Sequence, residues 1–188
     1  MTVEDGGTHV AGRCIRVHTH QKRKRMATQK IDRREVGTEA PDFSGSTQYG
    51  TPLRLSDYRG QWVALFFYPE DDSPGCTKQA CNLRDGSRKL AEAGVKVVGV
   101  SDDDAASHAD FAEKHDLPFP LIADPDREIL TLYGVYGERS MYGNTFMGTK
   151  RTTYLIDPDG IIRHVFKAPK TKEHTEEILR KLDAVRNA

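Results

Sequence analysis

Apolar positions in this chain fall into short runs separated by polar, turn-forming clusters. Trp62-Val63-Ala64-Leu65-Phe66-Phe67-Tyr68 and Val95-Lys96-Val97-Val98-Gly99-Val100 are rich in aromatic and β-branched residues, the pattern of buried strands. Between them, Pro74 to about Ala93 reads as a helix closed by Gly94 at its C-terminal cap. Asp104 to His115 reads as a second helix, with Ala105, His108, Phe111 and Ala112 on one face. Pro120–Ala123 is a short strand, and Asp124-Pro125 leads into a helix that runs through Tyr133. Thr152–Ile156 is a strand, Asp157-Pro158-Asp159-Gly160 is a turn, and Ile161–Phe166 returns as a hairpin partner. Lys172–Val185 repeats Ile178, Leu179, Leu182 and Val185 at helical spacing. At the front, Ala40–Phe43 and Pro52–Asp57 suggest a short hairpin.

Alternating strands and helices predict parallel pairing, and the last hairpin adds one antiparallel edge. The expected fold class is α/β: a thioredoxin-like fold, with a mixed central sheet flanked by helices. The structured domain is expected over residues 36–188. Residues 1–31 lack hydrophobic periodicity and are expected to be a disordered basic tail. Met26 offers an alternative start, and an organelle presequence or a nuclear-type basic patch at Gln21–Arg25 is the lesser reading.

The chain has 28 basic and 28 acidic residues, so net charge argues neither for nor against nucleic acid. Residues 1–31 hold seven Lys/Arg against Glu4 and Asp5, a local +5 that leaves −5 for the rest. No apolar stretch approaches the ~20 residues a membrane span needs, and no nucleic-acid or membrane partner is expected. Three cysteines are too few for a disulfide framework and suit a reducing compartment, so the cytoplasm is expected. The seven histidines are scattered, with no spaced pair beside a cysteine pair, which argues against zinc. Cys14, in the tail, reads as a spectator thiol. No Gly-rich phosphate loop follows a strand, and no cofactor is expected.

The informative chemistry lies in Tyr68-Pro69-Glu70-Asp71-Asp72-Ser73-Pro74-Gly75-Cys76-Thr77-Lys78-Gln79-Ala80-Cys81. Ser73 followed by Pro74 is a helix-start signal, with a side-chain oxygen at the cap and a preset φ behind it. Cys76 then falls in the first helical turn, where open backbone N–H groups and the positive end of the dipole favour a thiolate nucleophile. Cys81 lies five residues on. On one continuous helix that spacing separates the Cα atoms by roughly 8–9 Å, whereas a disulfide needs about 7 Å or less. The pair can close only if the helix opens, which suits a second thiol that acts after the first has been oxidised.

These residues resemble the peroxiredoxins, specifically the atypical two-cysteine peroxiredoxin Q, or bacterioferritin comigratory protein, subfamily. The motif Pro-x-x-x-Thr/Ser-x-x-Cys matches Pro69, Ser73 and Cys76, and Cys81 falls where the subfamily carries its resolving cysteine. Ala-Pro-Asp-Phe at 40–43, Leu-Arg-Asp at 83–85, Gly-Glu-Arg-Ser-Met-Tyr-Gly at 137–143 and Arg-Thr-Thr-Tyr-Leu-Ile-Asp at 151–157 extend the likeness from about Val36 to the C-terminus. The resemblance implies a peroxidatic Cys76 and a resolving Cys81. It also implies that Ser73, the Cys76 N–H and Arg151 bind the reacting oxygens, and that Pro69 shields the sulfur. A thioredoxin-type dithiol would recycle a monomeric enzyme that reduces hydrogen peroxide or organic hydroperoxides. Where most members carry Thr, this chain has Ser73, which keeps the hydroxyl but loses the methyl that limits its rotamers.

Two other functions compete. A disulfide oxidoreductase on the same fold is disfavoured, because the cysteines are not spaced Cys-x-x-Cys and Lys150-Arg151 precede the 152 strand where a thioredoxin carries proline. A non-catalytic redox sensor or chaperone-like protein would oxidise once without turning over. For the remaining polar residues, surface, face-edge or cap positions are expected: Asp71-Asp72 and Asp102–Asp104 in solvated loops or caps, His108 and His115 at surface or face-edge helix positions. Tyr136 and Tyr142 fit either the core or the approach to Cys76.

Overall fold

Strict alternation within Val63–Tyr68 decides the architecture of this protein, seen here in a computed structural model that describes residues 31–141 and 143–187. Residues 1–30, with Cys14, and Tyr142 lie outside the described residues. Strands in chain order are β1 (Ser44–Thr47), β2 (Pro52–Arg54), β3 (Trp62–Phe67), β4 (Val95–Ser101), β5 (Leu121–Ala123), β6 (Tyr136–Met141), β7 (Asn144–Thr149), β8 (Thr152–Ile156) and β9 (Ile162–Phe166). Helices are α1 (Pro74–Asp85), α2 (Ser87–Glu92), α3 (Ala105–Lys114), α4 (Glu128–Leu132) and α5 (His174–Arg186), with a 3-10 turn at Leu55–Tyr58.

Seven strands form one sheet in the order β2-β1-β5-β4-β3-β8-β9. The β3–β4 and β4–β5 pairs are parallel. The β3–β8, β8–β9, β1–β5 and β1–β2 pairs are antiparallel. The mixed sheet is as expected, but the front hairpin also joins it, so both edges are antiparallel rather than one. Alternate side chains of β3 feed two cores. Val63, Leu65 and Phe67 pack with Tyr133, Val135, Tyr154 and Ile156 on one face. Ala64, Phe66 and Tyr68 pack with Cys76, Ala80, Leu83, Phe111, Ile178 and Leu182 on the other. Being covered on both faces, the central strands read as continuous apolar runs rather than alternating ones.

One boundary departs from expectation. The helix predicted to run from Pro74 to about Ala93 breaks at Gly86, into α1 and α2. The cause is tertiary. A Cβ at Gly86 would lie 2.2 Å from Thr175 Cγ2 and 2.3 Å from its Oγ1. Asn82 Oδ1 accepts from the Thr175 backbone N–H at 2.8 Å, and Thr175 Oγ1 donates to the Asn82 carbonyl at 2.9 Å. Helix α5 is thus bolted onto the end of α1, and only glycine leaves room for it. The hairpin β6–β7, paired from Tyr136↔Thr149 to Met141↔Asn144, forms a separate two-stranded sheet that the hydrophobic pattern did not announce.

The crowding at Gly86 makes a stability prediction. Its φ of −88° suits any residue, so Gly86→Ala is penalised by overlap alone, by about 1–3 kcal/mol in urea unfolding. In a Thr175→Ala background, where the overlapping atoms are gone, the same substitution costs less than half as much.

Candidate active site

Helix α1 is entered through Pro74, with Ser73 as cap residue at φ −64° and ψ 144°. The cap position is as expected, but the side chain is not the cap: Ser73 Oγ donates back to the Glu70 carbonyl at 3.1 Å, within the loop that leads into the helix. Pro74 has no N–H to satisfy, so the helix start does not depend on a side-chain acceptor. Cys76 follows in the first turn, 2% exposed, packed into the core beneath α1.

Arg151 meets it from the opposite side of the sequence. Its Nη2 donates to Cys76 Sγ at 3.1 Å, and its Nη1 donates to Gln79 Oε1 at 2.6 Å. The register of the sheet brings them together. Phe67, the last residue of β3, pairs with Thr152, the first of β8, so the loop into α1 and Arg151 leave the sheet at the same end. A Cβ on Gly75 would stand 3.1 Å from Arg151 Nη2, so the guanidinium can lie over this turn because residue 75 has no side chain. A fixed positive charge and the open N–H groups of a helix start give negative charge on this sulfur a favourable field. His174, nearby on α5, adds no second charge. Burial holds its imidazole below the usual histidine range against the pull of Glu177, and it bonds Thr153 Oγ1 at 2.9 Å.

Of the residues singled out in the sequence, Cys76 and Arg151 are in contact. Pro69 follows β3 and is half-buried, forming one wall of a groove of about 350 Å³. Phe146 and Met147 of the β6–β7 hairpin, 39% and 41% exposed, line the same groove with Tyr136 and the charged Glu70, Asp102, Asp103, Arg127 and Arg139; Cys76 is not among its lining residues. Cys81 sits on the same helix as Cys76 and is half-buried; both thiols are free. Its sulfur lies 4.0 Å from His115 Nδ1.

Three features escaped the sequence reading. Gln79, fully buried, orients Arg151 through its Oε1, while its Nε2 has no partner among the described residues. Its only signal was its place one turn after Cys76 on the same face. His108 was expected at a surface or face-edge position but is fully buried, and Asp71, expected in a solvated loop or cap, is nearly so. Its Nε2 donates to the Ile122 carbonyl at 3.1 Å, and its Nδ1 meets Asp71 Oδ2 at 2.7 Å. Tyr68 O–H donates to Asp71 Oδ1 at 2.8 Å. Burial first, and then the Asp71 charge, push that phenol well above its usual range, so it stays a donor. The Asp71 N–H bonds Asp103 Oδ2 at 3.0 Å. This network clamps the loop between β3 and α1, and hence Pro69 and Ser73, onto α3 and the end of β4. The donor atoms of Asp71, Asp103 and His108 converge, but each is engaged by these internal hydrogen bonds. Asp104 alone of the acidic run caps a helix, accepting from Ser107 N at 2.8 Å.

Residues 36–165 match the model of the AhpC/TSA family. The chain belongs to that family. Within it, the relatives are peroxiredoxins. Peroxiredoxin Bcp of Escherichia coli is 44% identical over 145 residues, 77% of this chain and 93% of the relative. Peroxiredoxin Bcp of Bacillus subtilis is 38% identical over 148 residues, 79% and 94% respectively. Among solved structures, peroxidoxin BcpB of Mycobacterium tuberculosis superposes with a TM-score of 0.71 at 36% identity, covering 81% of this chain and 98% of that one. The Xanthomonas campestris bacterioferritin comigratory protein, which has alkyl peroxide reduction activity, superposes at 0.73 with 31% identity, covering 80% and 98%. The expected resemblance and the thioredoxin-like fold are therefore borne out, and this chain is a peroxiredoxin of the Bcp/Q type, a thiol-dependent peroxidase.

Gln79 offers a direct test of how the guanidinium is held. Gln79→Met keeps the volume and removes the acceptor. Losing a hydrogen bond to a charged group weakens positioning by about 1.5–3 kcal/mol, so the stopped-flow rate of sulfenic acid formation should fall at least tenfold while the circular dichroism spectrum is unchanged.

Proposed function

We propose that Cys76 is the peroxidatic thiolate and Cys81 the resolving thiol of a monomeric peroxidase that a thioredoxin-type dithiol recycles in the cytoplasm. The observation that carries this reading is the 3.1 Å contact between Arg151 Nη2 and a buried Cys76 sulfur in the first turn of α1. The sulfur attacks the nearer oxygen of a hydroperoxide, the O–O bond breaks, and the farther oxygen leaves with growing negative charge. Arg151 and the Cys76 N–H supply donors that need no reorganisation as that charge develops. Ser73 can join them only by exchanging its bond to the Glu70 carbonyl for one to the substrate. In this reading Pro69 limits water at the sulfur, and both hydrogen peroxide and organic hydroperoxides are substrates.

The product at Cys76 is a sulfenic acid, which a second thiol converts to a disulfide with loss of water. Cys81 is on the same helix of the same chain, so this step needs no second subunit. An external dithiol then returns both thiols by exchange. A redox sensor without turnover would show the first two steps and not the third, so thioredoxin-coupled NADPH consumption with repeated peroxide additions separates the readings.

Cys76→Ser should leave less than a tenth of wild-type turnover, because a hydroxyl here supplies no comparable nucleophile. Cys81→Ser should still consume one equivalent of peroxide but fail to recycle with thioredoxin, with a dimedone adduct at Cys76 in mass spectra. Arg151→Met should slow the reaction with peroxide at least tenfold, as stopped-flow traces would record.

Both cysteines lie within continuous α1, and residues five apart on a helix are separated by roughly 8–9 Å at Cα, too far for a disulfide. Oxidation should therefore open α1, and hydrogen exchange over residues 76–85 should speed up in the disulfide form while β4 stays protected. Equal protection in both redox states would rule out a helix that opens.

A further inference from the structure

Cys81 is not a bare thiol on a helix surface. Its Sγ lies 4.0 Å from His115 Nδ1, and the other ring nitrogen, Nε2, lies 2.9 Å from Asp72 Oδ1. We propose that His115 is the general base of the resolving step, taking the proton from Cys81, and that Asp72 positions its imidazole to do so. This rests on Cys81 being the resolving thiol, as argued above.

The orientation follows from donor and acceptor rules. A carboxylate only accepts, so Nε2 carries a proton, and in the neutral ring it is then the Nδ1 lone pair that faces the sulfur. Asp72 stays ionised: its carboxyl is held below the usual carboxylate range first by the hydrogen bond from His115 and then by that from Lys114. The ring is fixed independently of the thiol. It packs edge-on against Phe111 at 5.1 Å between centroids, and the His115 carbonyl accepts from Arg84 Nη1 at 2.8 Å. Arg84 is also on α1, so the end of α3 is stitched to the helix that carries Cys81. Asp72 holds its place in the left-handed region, φ 53°, which aspartate and asparagine tolerate best after glycine. The charged groups facing the pair are Arg84 with its partner Asp85 on α1, Lys114 on α3, Asp116 in the turn after it, and Asp72 in the loop before α1.

In the step itself, the Cys81 S–H bond breaks and its proton passes to His115 Nδ1. The sulfur electron pair attacks the sulfenic sulfur of Cys76; the S–S bond forms and the S–O bond breaks. Hydroxide leaves and becomes water, while the imidazolium returns its proton to solvent. The Cys81 sulfur is oxidised and the sulfenic sulfur is reduced by the same amount. Because α1 must open before the sulfurs meet, the proton is removed while the helix is still closed, and Cys81 leaves the helix as a ready nucleophile.

An unassisted thiol with an ordinary titration near 8.5 is only about 3% ionised at pH 7, which sets the size of the effect. The experiment mixes the reduced full-length protein with one equivalent of hydrogen peroxide in a quench-flow device from pH 6 to 10. Samples are quenched with a dimedone-type probe and an alkylating agent, and sulfenic acid and the 76–81 disulfide are counted by peptide mass. In His115→Gln, disulfide formation from sulfenic acid should slow about 10–30-fold at pH 7 and approach the wild-type rate near pH 10. Asp72→Asn, which keeps the backbone preference and removes the charge, should shift the same profile in the same direction by less. A resolving rate within twofold of wild type at pH 7, or a loss of equal size at every pH, overturns the proposal; the latter would mark His115 as packing only. Cys81→Ser decides the parent reading separately. If a disulfide to Cys76 still forms there, the two-cysteine assignment fails and the relay with it; if it does not form there but His115→Gln resolves normally, the relay alone fails.

Discussion

The contact on which the site depends is the one between Arg151 and Cys76, residues 75 positions apart in sequence. It is a product of strand register. Five backbone pairs, Val63↔Ile156 to Phe67↔Thr152, align β3 and β8 so that the next residue on each strand leaves the sheet at the same end. Shifting β8 by one residue would turn Arg151 to the other face and send Tyr154 and Ile156 out of the core they share with Leu65 and Phe67. The apolar cost of that slip is far larger than any single polar contact, so the buried sheet, not the ion–sulfur attraction, enforces the geometry of the reacting atoms. The loop on the other side is held in the same way, by buried Tyr68, Asp71 and His108.

The two cysteines of α1 sit in different electrostatic settings. Cys76 faces a guanidinium, whose charge does not change over the physiological range, at the positive end of a helix. Cys81 faces an imidazole, a group that can accept a proton as well as donate one. The first partner suits a thiol that must always be ready for a dilute oxidant. The second suits one that acts only once, later, and from a neighbouring position. Asp72 and Ser73 are adjacent in the loop before α1, so one short segment serves both ends of this division of labour.

Much of this was legible in the chain. The apolar runs at 62–68 and 95–100 announced the central strands, and Ser73-Pro74 announced the helix that carries Cys76, because those signals are local. The misses have a common origin in contacts between distant residues. Gly86 breaks a helix because Thr175, on α5, occupies its Cβ position. His108 shares a face with Phe111 and Ala112, but nothing local says that a ring with two polar nitrogens can be fully buried there; Asp71 and Ile122, distant in sequence, supply both nitrogens with partners. The β6–β7 hairpin, Tyr136–Met141 with Asn144–Thr149, shows neither helical nor alternating apolar spacing, and most of the β7 side chains are exposed. Gln79 and His115 carry no motif at all; their meaning comes from what stands beside them.

The bolting of α1 to α5 through Asn82, Gly86 and Thr175 bears on a race that every enzyme of this chemistry runs. A sulfenic acid that waits for its partner thiol is exposed to a second peroxide molecule, and the sulfinic acid formed then is a dead end for ordinary thiols. On the proposed two-cysteine reading, the waiting time includes the time α1 takes to open. Asn82 adjoins Cys81, so freeing Cys81 from α1 strains the same turn that is docked on Thr175. The tightness of that clasp, some distance from the reacting sulfur, is thus a timer: loosening it shortens the interval of vulnerability, and tightening it makes the enzyme burn out at lower oxidant load.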